Sequence, residues 1–214
     1  MKQGQPRRKL GKQPRRVSEK TKEKIIQAAL TLFANEGFSN AKLRDIAALA
    51  GTTHNLIRHH FGSKEDLWKA VVDYGLQLNE ARLKLIIDAQ GTEYPVELFK
   101  TFIRSHIAFM AKHIDLSKIL LHDNSKNSPH LDYIIEKQKG VLRIAKPIFN
   151  KVKACGYFKD FDHDSFSIYM RAITETPLAT WDMTNKMLND DIRSEQGIAR
   201  HTERVINLLF HKDA

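Results

Sequence analysis

The sequence predicts an all-α protein of about nine helices, and two observations predict it. From residue 18 onward apolar residues recur at spacings of three and four, and nowhere does a strictly alternating run sit between hairpin turns. Ser18 is placed to cap a first helix through Ile25, Ile26, Ala29, Leu30 and Phe33, which Gly37 ends. A short second helix carries Leu43, Ile46, Ala47 and Ala50. Gly51 then turns the chain, and Thr53 caps a short third helix that ends at Phe61-Gly62. Ser63, with Asp66 three residues on, resembles a capping box and opens a long fourth helix, whose stripe is Leu67, Val71, Tyr74, Leu78, Ala81 and Leu85. Gly91 and Pro95 mark the next break. Val96, Phe99, Ile103, His106 and Met110 then line a fifth helix, and a sixth lies near Leu116 to Leu121. After the polar 123–128 loop, the period from Leu131 to Val152 gives a seventh helix that Pro147 should kink. Residues 164–188, with Pro177 inside, and 194–212, with Ile198, Val205, Leu208 and Leu209 on one side, complete the set.

The chain has 214 residues and a formal charge of +10, and the placement of that charge is informative. Residues 1–24 hold ten Lys and Arg against Glu19 and Glu23, so the remaining 190 residues are nearly neutral. Lys2, Arg7, Arg8, Lys9, Lys12, Arg15 and Arg16, interleaved with Gly, Pro and Gln, are expected to form a disordered basic arm over residues 1–17. Seven cations without an acid suit a polyanion, since such arms displace counterions from phosphates. A solubilising tail is the plainer reading. No apolar run reaches membrane-spanning length, no apolar stretch follows the basic N-terminus as in a secretory signal, and Cys155 is the only cysteine. These features point to a soluble protein of a reducing compartment, with no membrane partner.

Two helices joined by a glycine turn, the second short and polar, have the layout of a helix-turn-helix at about 42–61, whose second helix enters the major groove of DNA. The residues of this region are more specific than the layout. Ile25-Ile26, Ala28-Ala29, Leu32-Phe33, Gly37-Phe38, Arg44-Asp45-Ile46-Ala47, Ala50-Gly51 and His60-Phe61-Gly62-Ser63-Lys64-Glu65-Asp66-Leu67 resemble, in register, the N-terminal domain of TetR-family bacterial transcription regulators. The resemblance covers about residues 19–79. It implies a DNA-binding domain over 18–79 and a helical ligand-binding and dimerisation domain over 80–214. It further implies a homodimer that binds a palindromic double-stranded operator in the bacterial cytoplasm, on the nucleoid, until an unidentified small molecule releases it.

Carried over by position, the resemblance makes Thr53, His54, Asn55, Arg58, His59 and His60 candidates for DNA contact on the third helix. Arg44 joins them from the second helix, Lys64 as a phosphate contact, and Arg15 and Arg16 from the arm. Arg58 is the candidate for base reading, because a guanidinium donates two bonds to guanine O6 and N7. His60 has packing as its plainer role. Three positions depart from the commonest pattern: Ala41 replaces a capping threonine, leaving Asn40 as the candidate cap, Asn55 replaces a glycine, and Arg58 stands where tyrosine is most frequent. Another member's operator therefore does not transfer to this chain.

In the C-terminal part, polar residues on apolar stripes are the only pointers to a pocket. His106 and Gln138 are such residues, with Phe102, Phe109, Met110, Tyr133, Tyr169, Met170 and Trp181 as candidate walls, and a satisfied core residue is the plainer reading of each. The stripes of the last two helices are apolar enough to be buried twice, once inward and once against a second copy. Ten histidines show no compact ligand spacing, and no nucleophile elbow, phosphate loop or metalloprotease helix is present, so no metal, cofactor or catalytic residue is expected. Repression is the family norm. A ligand-independent architectural DNA-binding protein, an activator of the same fold, and a helical enzyme with a vestigial DNA domain are the alternatives.

Overall fold

The computed structural model describes residues 13–123 and 129–211, with side chains over 18–121 and 129–211, and all regular structure among them is helical. Contacts divide the chain into two compact units, Met1–Val71 and Val72–Ala214. The first holds α1 (Gln13–Asn40), α2 (Leu43–Leu49), α3 (His54–Phe61) and the start of α4 (Lys64–Gln90). The second holds the rest of α4, then α5 (Pro95–Lys112), α6 (Ile114–Asp123), α7 (Pro129–Ala154), α8 (His163–Thr174), α9 (Thr176–Ala179), α10 (Trp181–Leu188) and α11 (Glu195–Phe210).

Helix α1 differs from expectation at both ends. It begins at Gln13, so Ser18 lies inside it and not at its cap, and the backbone of Arg15 and Arg16 is helical. The side chains of those two arginines, and Lys2 to Lys12, lie outside the described residues. At the other end Gly37 breaks the helix at φ 75°, ψ 163°, a region that is nearly glycine's alone. Around this break the core of the first unit assembles from Ile25, Ala29, Phe33, Ile46, Ile57, Leu67 and Trp68. Phe38, just past the break, bridges Phe33 (ring centroids 5.8 Å apart) and Trp68 (6.5 Å, edge to face).

In the second unit α5 is the central element, packed against α7, α11, α6 and α8. A cluster of aromatic rings, Phe99, Phe149, Phe158 and Phe166, fills one end of its core, with Phe158–Phe166 centroids only 4.4 Å apart. The seventh helix runs through Pro147 without interruption, although proline denies a bond to the carbonyl four residues back. The single helix expected over 164–188 is instead three, α8, α9 and α10, separated at Glu175 and Thr180. Pro177 accounts for the break at Glu175: it lacks the N–H that would donate to the carbonyl of Ile173, so the chain restarts with proline in the first turn of α9. Asp162 caps α8, its Oδ1 accepting from the amides of Asp164 (2.9 Å) and Ser165 (2.8 Å).

The last helix is seated by close backbone contact. Ser194 Oγ accepts from Gly197 N at 2.9 Å, and a Cβ at Gly197 would fall 2.0 Å from Asp191 O and 2.8 Å from Ile192 Cα. Since the obstacle is backbone, it cannot rotate away. Gly197→Ala should lower stability by about 3 kcal/mol, read as a fall in the thermal midpoint, whereas exposed Gln196→Ala should leave it nearly unchanged.

Candidate functional site: the helix-turn-helix face and the cavity of the second unit

Helices α2 and α3 are joined by a turn in which Gly51 adopts φ 63° and Thr52 N donates to Ala47 O at 2.9 Å. Thr53 then caps α3, its Oγ1 accepting from Leu56 N at 3.3 Å. On α3, Ile57 is fully buried and Leu56, His60 and Phe61 are half-buried, which anchors one side of the helix in the unit. Asn55, Arg58 and His59 are exposed, and their spacing of three and four puts them on one face. His54 is half-buried and Thr53 exposed at the start of the helix. Arg44, on α2, is 84% exposed and makes only a 3.8 Å surface contact with Asp45.

His60 belongs to the packed side. Burial, then the neighbouring charges of His59 and Lys22, hold its imidazole below the usual histidine range, so at neutral pH it is uncharged. Lys64 is also tethered within the unit. Its Nζ donates to Ser39 O at 3.2 Å and stands 4.6 Å from the centre of the Phe38 ring, pinning the start of α4 to the α1–α2 connection. Burial lowers its pKa as well. Asn40 does not cap α2: the cap position is Lys42, without a side-chain bond, and Asn40 Nδ2 donates back to Glu36 O at 3.0 Å. At the start of α4, Ser63 Oγ accepts from Asp66 N (3.0 Å) and donates to Asp66 Oδ2 (2.6 Å), half of the expected capping box.

Residues 25–71 match the family model "Bacterial regulatory proteins, tetR family". Residues 25–71 are therefore a TetR-type N-terminal domain. The match spans the helix-turn-helix just described and stops before the second unit. Among curated relatives, the HTH-type transcriptional repressor NicS of Pseudomonas putida is 29% identical over 150 residues, covering 67% of this chain and 68% of that protein. Solved structures share the fold over most of the chain. FadR of Bacillus subtilis in complex with stearoyl-CoA gives a TM-score of 0.71 at 21% identity, covering 90% of this chain and 99% of that one. AibR in complex with isovaleryl coenzyme A and operator DNA gives 0.70 at 18% identity, covering 89% and 98%.

The second unit holds a cavity of about 170 Å³ among α4, α5, α6, α7 and α8. Of the residues expected to line a pocket, Phe102, His106, Phe109, Met110, Gln138 and Met170 do so. Tyr133, Tyr169 and Trp181 do not. Tyr133 donates to Asp73 Oδ1 at 2.9 Å, Tyr169 is 60% exposed against Phe161, and Trp181 lies under the Arg193 guanidinium at 4.6 Å.

Sequence reasoning missed the polar lining that matters most: Arg82, Arg171 and Glu175. Glu175 is 3% exposed and sits at the break between α8 and α9. Its Oε1 is 3.2 Å from His106 Nε2 and 3.6 Å from Arg171 Nε, and Arg171 Nη1 donates to Gln138 Oε1 at 3.0 Å. Burial pushes the Glu175 carboxyl up, but the hydrogen bond and charge of His106 and the charge of Arg171 outweigh it and hold it ionised, below the usual range. Four polar side chains thus form one network on the cavity wall. The signal that could have found it was Pro177, which breaks the helix beside the carboxylate that lines the cavity.

Proposed function

We propose that this protein is a transcriptional repressor that binds a palindromic double-stranded operator as a homodimer and leaves it when a small molecule occupies the cavity of the second unit. The observation that carries the reading is the exposed Asn55, Arg58 and His59 face of a capped helix behind a glycine turn, on the side away from buried Ile57. The relatives named as repressors support it, and so do fold neighbours solved with operator DNA or with acyl-CoA ligands. One helix of this length reads too few base pairs for an operator, so two copies place two such helices about 34 Å apart. Apolar side chains left exposed on α8, α10 and α11, among them Tyr169, Met187 and Leu208, supply the surface on which a second copy packs.

Coupling between the two events runs through α4, which contributes Lys64 to the first unit and Asn79, Arg82 and Leu83 to the cavity wall. Ligand and operator therefore act on one helix, and a coupling of about 1–3 kcal/mol suffices for release. Regulation occurs in the cytoplasm. No helix among the described residues is long and apolar enough to cross a membrane.

The test is fluorescence anisotropy on operator DNA with single-base variants. Arg58→Ala should cost about 1–3 kcal/mol at the base it reads and relax preference there. Removal of residues 1–12 should instead weaken all sequences alike and flatten the salt slope by roughly one unit for each phosphate the arm no longer neutralises. If Arg58→Ala leaves every base preference unchanged, the α3 face is not the reading surface.

A further inference from the structure

The cavity wall carries one more positive charge than its own carboxylate neutralises. Arg82 reaches it from α4, donating from Nη1 to Ser105 Oγ (2.6 Å) and from Nη2 to Asn79 Oδ1 (2.5 Å). Both acceptors are neutral. The third nitrogen, Nε–H, is buried and has no acceptor among the described residues. Glu175, on the same wall, is already engaged by His106 and Arg171, and it is not in contact with Arg82. His163, the remaining titratable group of the lining, turns its Nδ1 to Asp164 at 3.1 Å. Two guanidinium groups therefore face one carboxylate in a cavity walled mostly by Leu, Ile, Val, Met and Phe side chains.

A part-buried cation with only neutral partners is expensive to hold. Its cost registers in Arg82 itself, whose pKa burial lowers to about 10. The guanidinium is nonetheless well fixed: Ser105 and Asn79 hold its two ends, and the Phe109 ring lies 5.3 Å from its Cζ. Such a fixed fork with an unused Nε–H matches the two oxygens of a carboxylate.

We infer that the effector is a small apolar carboxylic acid, bound as its anion, with Arg82 as the residue that takes the carboxylate. Phe102, Ile103, Met110, Leu142 and Phe166 then surround its apolar body. This assignment rests on the reading of the second unit as the effector-binding part.

The experiment is titration calorimetry on the full-length protein with hexanoate, octanoate and decanoate against the corresponding neutral amides, repeated on Arg82→Met. At least one acid should bind the unaltered protein at least about tenfold more tightly than its amide, the difference made by a charge-assisted bond. Arg82→Met should bind acid and amide alike, and should melt no lower than the unaltered protein without ligand. Acid and amide binding equally to the unaltered protein would overturn the charge assignment and leave the cavity as an effector site. Binding of neither would overturn both. A marked fall in the melting temperature of Arg82→Met would make Arg82 a strut of the fold and end its assignment as a ligand contact.

Discussion

Replacing Met187 and Leu208 together by glutamate is expected to turn the protein monomeric and to weaken operator binding by roughly 10²–10⁴-fold, the gain that linking two half-site contacts provides. Met187 is 76% exposed on α10 and Leu208 70% exposed on α11, yet both are large and apolar. Ile168 and Tyr169 on α8 and Met183 and Leu188 on α10 are likewise half exposed or more. An apolar set this size on a free surface marks a partner's place. Since neither side chain supports the core, the double variant should keep its thermal midpoint at low concentration while sedimenting as a single copy. A variant that remains dimeric would move the two-fold contact to another face. Exposed Leu85 and its neighbours on α4 are then the next surface to alter.

Trp68→Ala should act on the first unit with comparable force. Trp68 has no exposed surface, and Phe38 meets its ring edge to face with centroids 6.5 Å apart. Its loss leaves a cavity beneath Phe38, the residue over which Lys64 is held, and costs about 3–5 kcal/mol. That is a large part of what a unit of some seventy residues has to spare. Operator binding should disappear at temperatures where the second unit still melts cooperatively and still binds its ligand. Simultaneous loss of both would mean that the two units unfold as one.

What the sequence made legible follows a physical line. The α3 face was readable because a recognition surface is defined by exposure: Gly51 must turn, Thr53 must cap, and Asn55, Arg58 and His59 project from the side that Ile57 does not occupy. Near the cavity the same logic misleads. The stripe expected along α4 through Leu78, Ala81 and Leu85 turns outward, with Leu85 69% exposed, while Leu76, Asn79, Arg82 and Leu83 face the cavity. Apolar periodicity cannot see a wall that is partly polar. Aromatic residues misled in the same way. Tyr133 and Trp181 find partners in Asp73 and Arg193, charges distant in sequence that no periodicity connects to them. Glu175 reads as a surface residue of a continuous helix until Pro177 breaks that helix and turns the carboxylate inward.

The central claim, specific operator binding by two copies of the α3 face, is tested most directly by sequencing genomic fragments captured by the purified protein at two salt concentrations. The account predicts a recurrent palindrome, with half-sites about one helical turn apart, that survives at the higher salt. Uniform capture that vanishes as salt rises would contradict it, because phosphate attraction alone would then account for all the binding.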